Sequence, residues 1–179
     1  KVSYENGKIS YNGTLYDELV FDAQTMSSMF AEPTFILYGV TIGVGFHWER
    51  KQVQKFDGSM MFIVDNGKVK AVNVLGVEDY LLSVKSSEMK ASASLEFLKA
   101  HAVISRSWLL SQIEARKSAA KEVKSSVKED YTENGVHHYV RWYDREDHTL
   151  FDVCADDHCQ RYQGLTLAIG ENVRKAVDQ

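Results

Sequence analysis

The sequence predicts an α+β fold, in which an N-terminal antiparallel β unit packs on a long central helix and a metal-binding or cysteine-containing loop region follows near the C-terminus. Three observations predict this fold. Apolar residues alternate around Asn-Gly pairs as far as Val74, their spacing becomes helical after Gly76, and both cysteines lie late in the chain. A length of 179 residues suits one domain, with or without a smaller lobe.

The β unit is predicted by two hairpin signals and one alternating run. The segments KVSYENGKISYNG and MMFIVDNGKVKAVNV place apolar residues on both sides of Asn6-Gly7 and Asn66-Gly67. Asn-Gly is the strongest short hairpin signal, because both residues accept positive φ. Between these hairpins VTIGVGFHWE alternates strictly from Val40 to Trp48, which predicts one continuous strand.

Helices are predicted from Gly76 onward. Four apolar residues recur at the spacing of one helical face: Val77, Tyr80, Leu81 and Val84. A polar break is then expected from Ser86 to Ser94, and a long helix follows it with Ser92 or Ser94 as N-cap. The apolar residues of LEFLKAHAVISRSWLLSQIEARK cover more than one face, so we expect other elements to enclose this helix. The segment ENVRKAVDQ predicts the start of a final helix.

Charge and hydropathy exclude two classes of partner. The net charge of -4 gives no reason to expect nucleic acid, because a mildly acidic surface repels phosphates. No segment approaches the ~20 apolar residues that span a bilayer, so no membrane span is predicted. Lys1 opens the chain without a signal-peptide pattern, which a cleaved precursor would also produce.

Glu88 lies in the polar segment VKSSEMKA between the two apolar helical stretches. One interpretation is a solvated carboxylate near the positive end of the helix that follows. The other is a general acid partly buried by the helix pair. Because the chain has 25 Asp and Glu residues, the local pattern alone favours the solvated carboxylate.

His101 and Arg106 interrupt the long apolar helix, and Lys99 lies close to two turns before Arg106. The simplest interpretation is that Arg106 ties a carboxylate or loop carbonyls inside the fold and that His101 is a satisfied core histidine. An arginine that faced Glu88 could instead hold a substrate or fix the carboxylate.

The segment DREDHTLFDVCADDHCQRY carries four side chains of the kind that bind zinc: His148, Cys154, His158 and Cys159. His158 and Cys159 are adjacent and would point opposite ways on an extended backbone, so three ligands plus water are as plausible as four. A Cys154–Cys159 disulfide, two unrelated thiols and a Cys-His nucleophilic pair remain open.

The segments VEDYLLSVKSSEM and LEFLKAHAVISRSW resemble the signature of the stage II sporulation protein D family, also called SpoIID/LytB domains. The family pattern is E-D/E-Y-L, S-E-M and a helix E-x-L-K-A-Q/H-A-V-x-A/S-R, which correspond here to 78–81, 87–89 and 96–106. DVCADDHCQRYQG resembles the family's second block. The resemblance covers 35–179 and leaves 1–34 as an N-terminal β-hairpin extension. The family continues into a T-x-G strand, so we expect this chain to be C-terminally truncated relative to it.

The resemblance implies an extracytoplasmic protein of the cell envelope that acts on peptidoglycan. It implies a lytic transglycosylase that cleaves peptide-free glycan strands and forms 1,6-anhydro-N-acetylmuramic acid ends. An alternative is a non-catalytic cell-wall binding module that activates a partner amidase, and another is a metal-stabilised scaffold for a protein partner.

The resemblance also assigns roles to individual residues. Glu88 would be the catalytic acid, and the zinc ligands would be the two cysteines and two histidines named above, in a structural site. We expect four further residues to bind substrate or support the site: Ser87, Lys99, Arg106 and Tyr162.

Overall fold

The computed structural model describes residues 1–23, 33–90, 92–119, 130–139, 150–155, 159–167 and 170–179. These ranges contain strands and three helices, which confirms the predicted α+β class. The strands are β1 (Val2–Glu5), β2 (Lys8–Tyr11), β3 (Thr14–Tyr16), β4 (Leu19–Phe21), β5 (Phe35–Ile42), β6 (Arg50–Phe56), β7 (Ser59–Asp65), β8 (Lys68–Val74), β9 (Asp130–Glu133) and β10 (Val136–Tyr139). The helices are α1 (Val77–Glu88), α2 (Leu95–Ala119) and α3 (Glu171–Asp178).

The strands form small antiparallel sheets with the orders β1-β2-β3, β4-β7-β8, β5-β6 and β9-β10. Both predicted hairpins are confirmed, because Asn6 and Asn66 have φ of 49° and 47° between paired strands. The edge strand β4 joins β7 with Leu19 opposite Phe62, so the N-terminal segment is hydrogen-bonded to the strands that precede α1.

The prediction of one strand from Val40 to Trp48 is wrong. Strand β5 ends at Ile42, and Gly43 turns the chain with a φ of 66°. A Cβ at Gly43 would lie 2.3 Å from the Trp48 ring, so the turn brings this ring onto the backbone. The alternation of apolar residues is real, but the positive φ at the glycine ends the strand.

Helix α1 is longer than predicted. It continues through Ser86 and Ser87 to Glu88, so the predicted polar break begins only at Met89. The serines are buried at 8% exposure each, which shows that tertiary packing holds this polar end of the helix. The predicted N-cap of α2 is confirmed at Ser94, whose Oγ accepts a hydrogen bond from the Phe97 N–H at 3.4 Å.

Helix α2 is 25 residues long, but the prediction of a long central helix is only partly supported, because other elements do not enclose it. Val103 and Ile104 are 62% and 67% exposed, whereas Leu98 and Leu109 are buried. The strip of α2 that meets α1 and α3 enters the core. The β unit reaches the helices through a shared core cluster: Phe56, Met60, Tyr80, Leu81, Leu82, Val84, Leu98, Leu109, Tyr162, Val173, Ala176 and Val177. No helix in the described part of the chain is both long and apolar enough to cross a bilayer.

The segment 159–167 is held between the β unit and α1. Gly164 forms a parallel bridge with Lys55 of β6, and the Leu165 N–H donates to the Lys55 carbonyl at 2.7 Å. Thr166 Oγ1 accepts from the Lys55 N–H at 3.0 Å. The preceding residues run along the helices: the Gln163 N–H donates to Ser83 Oγ of α1, and Gln160 Nε2 donates to the Ser105 carbonyl of α2.

Candidate functional site

Glu88 lies where three parts of the fold meet. Its Oε2 lies 3.1 Å from Nε2 of His101 on α2, and its Oε1 accepts a hydrogen bond from the Arg161 N–H at 3.1 Å. The main chain of Glu88 is exposed at the helix end, while its side chain is 25% exposed. The carboxyl is therefore oriented by two neighbours and still reachable from solvent, which distinguishes it from the solvated carboxylate that the local pattern favours.

The buried side of α1, from Tyr80 to Ser87, is unusually polar. The side-chain polar atoms of Tyr80, Lys85, Ser86 and Ser87 are buried without a hydrogen-bond partner in the described part of the chain, as is Nδ1 of His101. Burial raises the pKa of the Tyr80 phenol above its usual range, and negative charge on Cys159 and Glu88 adds to the effect. The phenol therefore stays neutral beside the carboxyl.

Lys85 is a feature that the sequence analysis missed. It is fully buried at 0% exposure, and burial lowers the pKa of its amine to about 8, with the Arg106 cation acting in the same direction. Glu88 and Glu78 oppose the shift. The only sequence signal was its spacing, because Lys85 follows Leu81 by four residues and shares its buried face.

Tyr162 packs inside the fold beside the first half of α1. It is 7% exposed and stacks on Tyr80, with ring centroids 5.1 Å apart and an angle of 17° between the rings. Its hydroxyl donates to Oδ1 of Asn73 on β8. Burial and the charges of Asp79 and Asp57 raise the pKa of the phenol. These contacts are structural, and the predicted role of Tyr162 in binding substrate stays a prediction.

Arg106 joins three helices. Its Nε and Nη2 donate to the two carboxylate oxygens of Glu78 on α1, at 3.1 and 2.6 Å, and Nη2 also donates to the Val177 carbonyl of α3 at 2.9 Å. The simpler interpretation of Arg106 as a tie inside the fold is thus confirmed. A role in orienting substrate remains a prediction.

Two other predicted substrate-binding residues have different surroundings. Lys99 forms an ion pair with Glu96 of its own helix at 3.0 Å. Ser87 is buried next to Glu88 in α1. Their predicted roles stay predictions.

A cavity of about 130 Å³ is lined by Arg161, the residue whose backbone N–H contacts Glu88. The end of β5 lines one side, and Trp48, Arg161 and Gln163 line the others. The guanidinium carbon of Arg161 lies 5.8 Å from the centre of the Trp48 ring. Sequence reasoning missed this set, because its members come from segments that nothing in the sequence links.

The structure describes two of the four predicted zinc ligands. Cys154 and Cys159 are thiols rather than a disulfide, and both are partly buried. His148 and His158 lie outside the described residues. No three His, Cys, Asp or Glu side chains within the described ranges come close enough together to hold a metal ion. The two thiols fit zinc chemically, because thiolate is a ligand that Zn²⁺ prefers.

The arrangement is suited to proton transfer. A carboxyl whose oxygens meet an imidazole and a backbone N–H can give up and regain a proton without changing its position. The imidazole nitrogen facing Glu88 donates or accepts according to its tautomer.

Comparison with known proteins identifies a match over most of the chain. The family model described as SpoIID, stage II sporulation protein, matches residues 65–179. No curated protein and no solved structure gives a significant match.

Proposed function

Because the chain belongs to the SpoIID family of stage II sporulation proteins, which gives it a cell-wall role, we propose that it is a lytic transglycosylase of peptidoglycan. The proposed substrate is a glycan strand from which the stem peptides have been removed. The proposed products carry 1,6-anhydro-N-acetylmuramic acid ends. A site of action outside the cytoplasm is part of the same proposal.

The proposed mechanism uses one carboxyl group twice. Protonated Glu88 gives its proton to the glycosidic oxygen between N-acetylmuramic acid and N-acetylglucosamine, and the C–O bond breaks as the muramic ring gains oxocarbenium character. The ionised carboxylate then takes the proton of the C6 hydroxyl on the same ring. The C6 oxygen attacks the anomeric carbon and closes the anhydro ring, so no water is consumed and Glu88 is protonated again.

The observation that carries this proposal is the position of the Glu88 carboxyl between His101 Nε2 and the Arg161 N–H, at 3.1 Å from each. Glu88 would be the catalytic residue, and His101 and the Arg161 main chain would position it. A peptide N–H stabilises the ionised state that follows the first proton transfer. The two contacts leave the carboxyl open to solvent on its remaining side.

The experiment is mass spectrometry of peptide-free glycan strands after incubation with the protein. We expect anhydro-muramic ends from the unmodified protein and none from Glu88→Gln, which keeps the shape of the side chain but has no acidic proton. Glu96→Gln is the matched control, because Glu96 is an exposed glutamate on α2. Absence of anhydro ends from the unmodified protein would contradict the proposal.

The alternative of an amidase activator is tested in parallel with intact peptidoglycan and a purified cell-wall amidase. If both the unmodified protein and Glu88→Gln raise amidase turnover while neither releases anhydro ends, the activator function replaces the transglycosylase. Cleavage that depends on Glu88 without any effect on the amidase supports the enzyme.

Zinc is proposed as a structural ion held by Cys154 and Cys159, with His148 and His158 completing the set. When bound, zinc would cross-link the segment that precedes Arg161 and would not activate water, because mixed thiolate and imidazole ligands suit structural sites. Elemental analysis of protein purified without chelator should find zinc, and Cys154→Ser should lower both zinc content and melting temperature. Zinc-free protein with an unchanged melting temperature would contradict this assignment.

A further inference from the structure

The cavity lined by Trp48 and Arg161 has the size of a substituent rather than of a sugar ring. Its volume of about 130 Å³ is below the ~300 Å³ at which pockets begin to enclose a small ligand. Trp48 and the end of β5 give it apolar walls, and Arg161 supplies its cation. The cavity is therefore built for a short group that carries a negative charge.

The guanidinium of Arg161 is held in place before any ligand arrives. With the amide of Gln163 oriented so that its oxygen faces Arg161, this oxygen accepts hydrogen bonds from Nε and Nη2, each 3.1 Å long. Gln163 is 5% exposed and so cannot swing away. On the other side the guanidinium faces the Trp48 ring. Two contacts thus fix the plane of the guanidinium. Binding of a ligand then costs little further side-chain entropy.

The charge of Arg161 is uncompensated within the described ranges. The ion pairs found there involve other cations, among them Arg106 and Arg116, and none includes Arg161. The nearest carboxyl that it contacts is Glu88, which accepts from its backbone N–H and not from its guanidinium. A planar guanidinium that meets no carboxylate among the described residues, set in a partly apolar cavity, is a binding group for an incoming carboxylate.

The position of Arg161 relative to Glu88 restricts what this carboxylate can be. The backbone N–H of Arg161 contacts Glu88 while its side chain lines the cavity, so the two sites are separated by no more than one arginine side chain. A muramic acid residue whose glycosidic bond lies at Glu88 would bring its own lactyl substituent into this range. When the stem peptide has been removed, that substituent ends in a free carboxylate; with the peptide attached, it is a neutral amide with a long extension.

We propose that the cavity between Trp48 and Arg161 binds the free lactyl carboxylate of muramic acid, so that Arg161 is the residue that selects peptide-free strands. This inference rests on the proposed function for the identity of the glycan. Trp48 and Gln163 act by positioning the guanidinium, and the apolar wall accommodates the methyl group of the lactyl ether.

The test is calorimetric binding in the Glu88→Gln background, where the sugar is not cut and the glutamine still offers an oxygen to the Arg161 N–H. Three muramic-containing tetrasaccharides serve as probes: one with free lactyl carboxylates, one with these carboxylates converted to methylamides, and one with intact stem peptides. We expect the free acid to bind roughly 10- to 100-fold more tightly than the other two, as a charged bidentate contact allows.

Arg161→Gln in the same background should remove this preference by weakening only the binding of the free acid. Arg161→Lys should retain part of this preference. The positive charge remains, but the paired N–H donors of the guanidinium are lost. The matched control is Arg174→Gln, an arginine of α3 that does not line the cavity, which should keep the full preference. Circular dichroism of each variant verifies folding.

Equal affinity of the unmodified cavity for all three probes would overturn the inference, as would a preference that survives Arg161→Gln. Absence of measurable binding to any probe would overturn it too. If the preference is present but the unmodified protein releases no anhydro ends, the inference stands and the proposed cleavage falls. The two failures are therefore distinguishable.

Discussion

At the scale of single residues, the buried amine of Lys85 makes stability depend on pH. Its pKa of about 8 in the folded protein lies below the ~10.4 of an unfolded chain, so the unfolded state binds more protons between these values. The cost of burying the charge is complete below pH 8 and is relieved as pH rises through this window. We expect Lys85→Met to be more stable than the unmodified protein by roughly 3 kcal/mol at pH 7.

Urea unfolding from pH 7 to pH 10 measures this difference. The gain from Lys85→Met should shrink steadily above pH 8, whereas Lys90→Met, at an exposed position, should show neither the gain nor its pH dependence. A gain that is constant with pH would mean that packing and not charge burial accounts for it.

Gly164 is the second residue whose substitution should be costly. Its φ is +58°, and a Cβ there would lie 2.2 Å from the Lys55 carbonyl oxygen, which the Leu165 N–H needs as its acceptor. Gly164→Ala combines backbone strain with a clash, so we expect a loss of roughly 2–5 kcal/mol in the free energy of unfolding.

Gly67→Ala is the matched variant, because Gly67 has a φ of +71° but open space around its Cα. Backbone strain alone should cost roughly 1–2 kcal/mol there. Equal losses for the two variants in thermal or urea unfolding would show that the contact with Lys55 contributes nothing.

At the scale of elements, Arg106 connects α1, α2 and α3 through one side chain. Glu78 is 54% exposed, so its pairing with Arg106 is weak, but the bond from Arg106 to the Val177 carbonyl ties the last turn of α3 to the core. We expect Arg106→Ala to cost roughly 1.5–3 kcal/mol and Glu78→Gln less than about 1 kcal/mol.

Urea unfolding gives both losses, and hydrogen exchange locates them. The amides of α3 should exchange faster in Arg106→Ala than in Glu78→Gln. Similar losses and similar exchange in the two variants would assign the effect to the ion pair and would contradict the role given to the Val177 carbonyl.

The elements differ in how far the sequence predicts them, for physical reasons. The hairpins at Asn6 and Asn66 depend on local turn geometry, which the sequence carries in full. The polar end of α1 was predicted as a break, because Ser86 and Ser87 are poor core residues until other elements cover them. Strand β5 was predicted too long, because the apolar alternation in the sequence continues past Gly43. In the structure the positive φ of Gly43 ends the strand.

At the scale of the whole molecule, the candidate site is assembled from distant segments. Glu88 and Arg161 are 73 positions apart, and neither local pattern predicts that the backbone of one would hold the carboxyl of the other. The family signature identifies Glu88, which lies within one continuous motif. It does not identify Trp48 or Gln163, because a cavity depends on tertiary contacts that no single segment encodes.

Within the predicted N-terminal extension 1–34, the described residues 1–23 make contacts with the rest of the chain. Ile9 is fully buried, and Phe21 of β4 packs edge to face on Phe62 of β7 with centroids 6.0 Å apart. Removing 1–34 should lower the melting temperature by roughly 5 °C or more, since each kcal/mol lost corresponds to about 2–4 °C in a chain of this size. An unchanged melting temperature and binding affinity would establish a separable extension.

The Asn-Gly turns are also sites where the asparagine can deamidate during storage. In such a pair the nitrogen of the glycine can attack the side-chain amide carbon of the asparagine, because no side chain on the glycine obstructs it; ammonia leaves, and hydrolysis yields aspartate or isoaspartate. At Asn66 the isoaspartate would add a carbon to the backbone of the β7-β8 turn. Asp65 and Lys68 form the strand pair next to this turn. Slow chemical damage at Asn66 should therefore loosen the β7-β8 pairing at this end of the hairpin first.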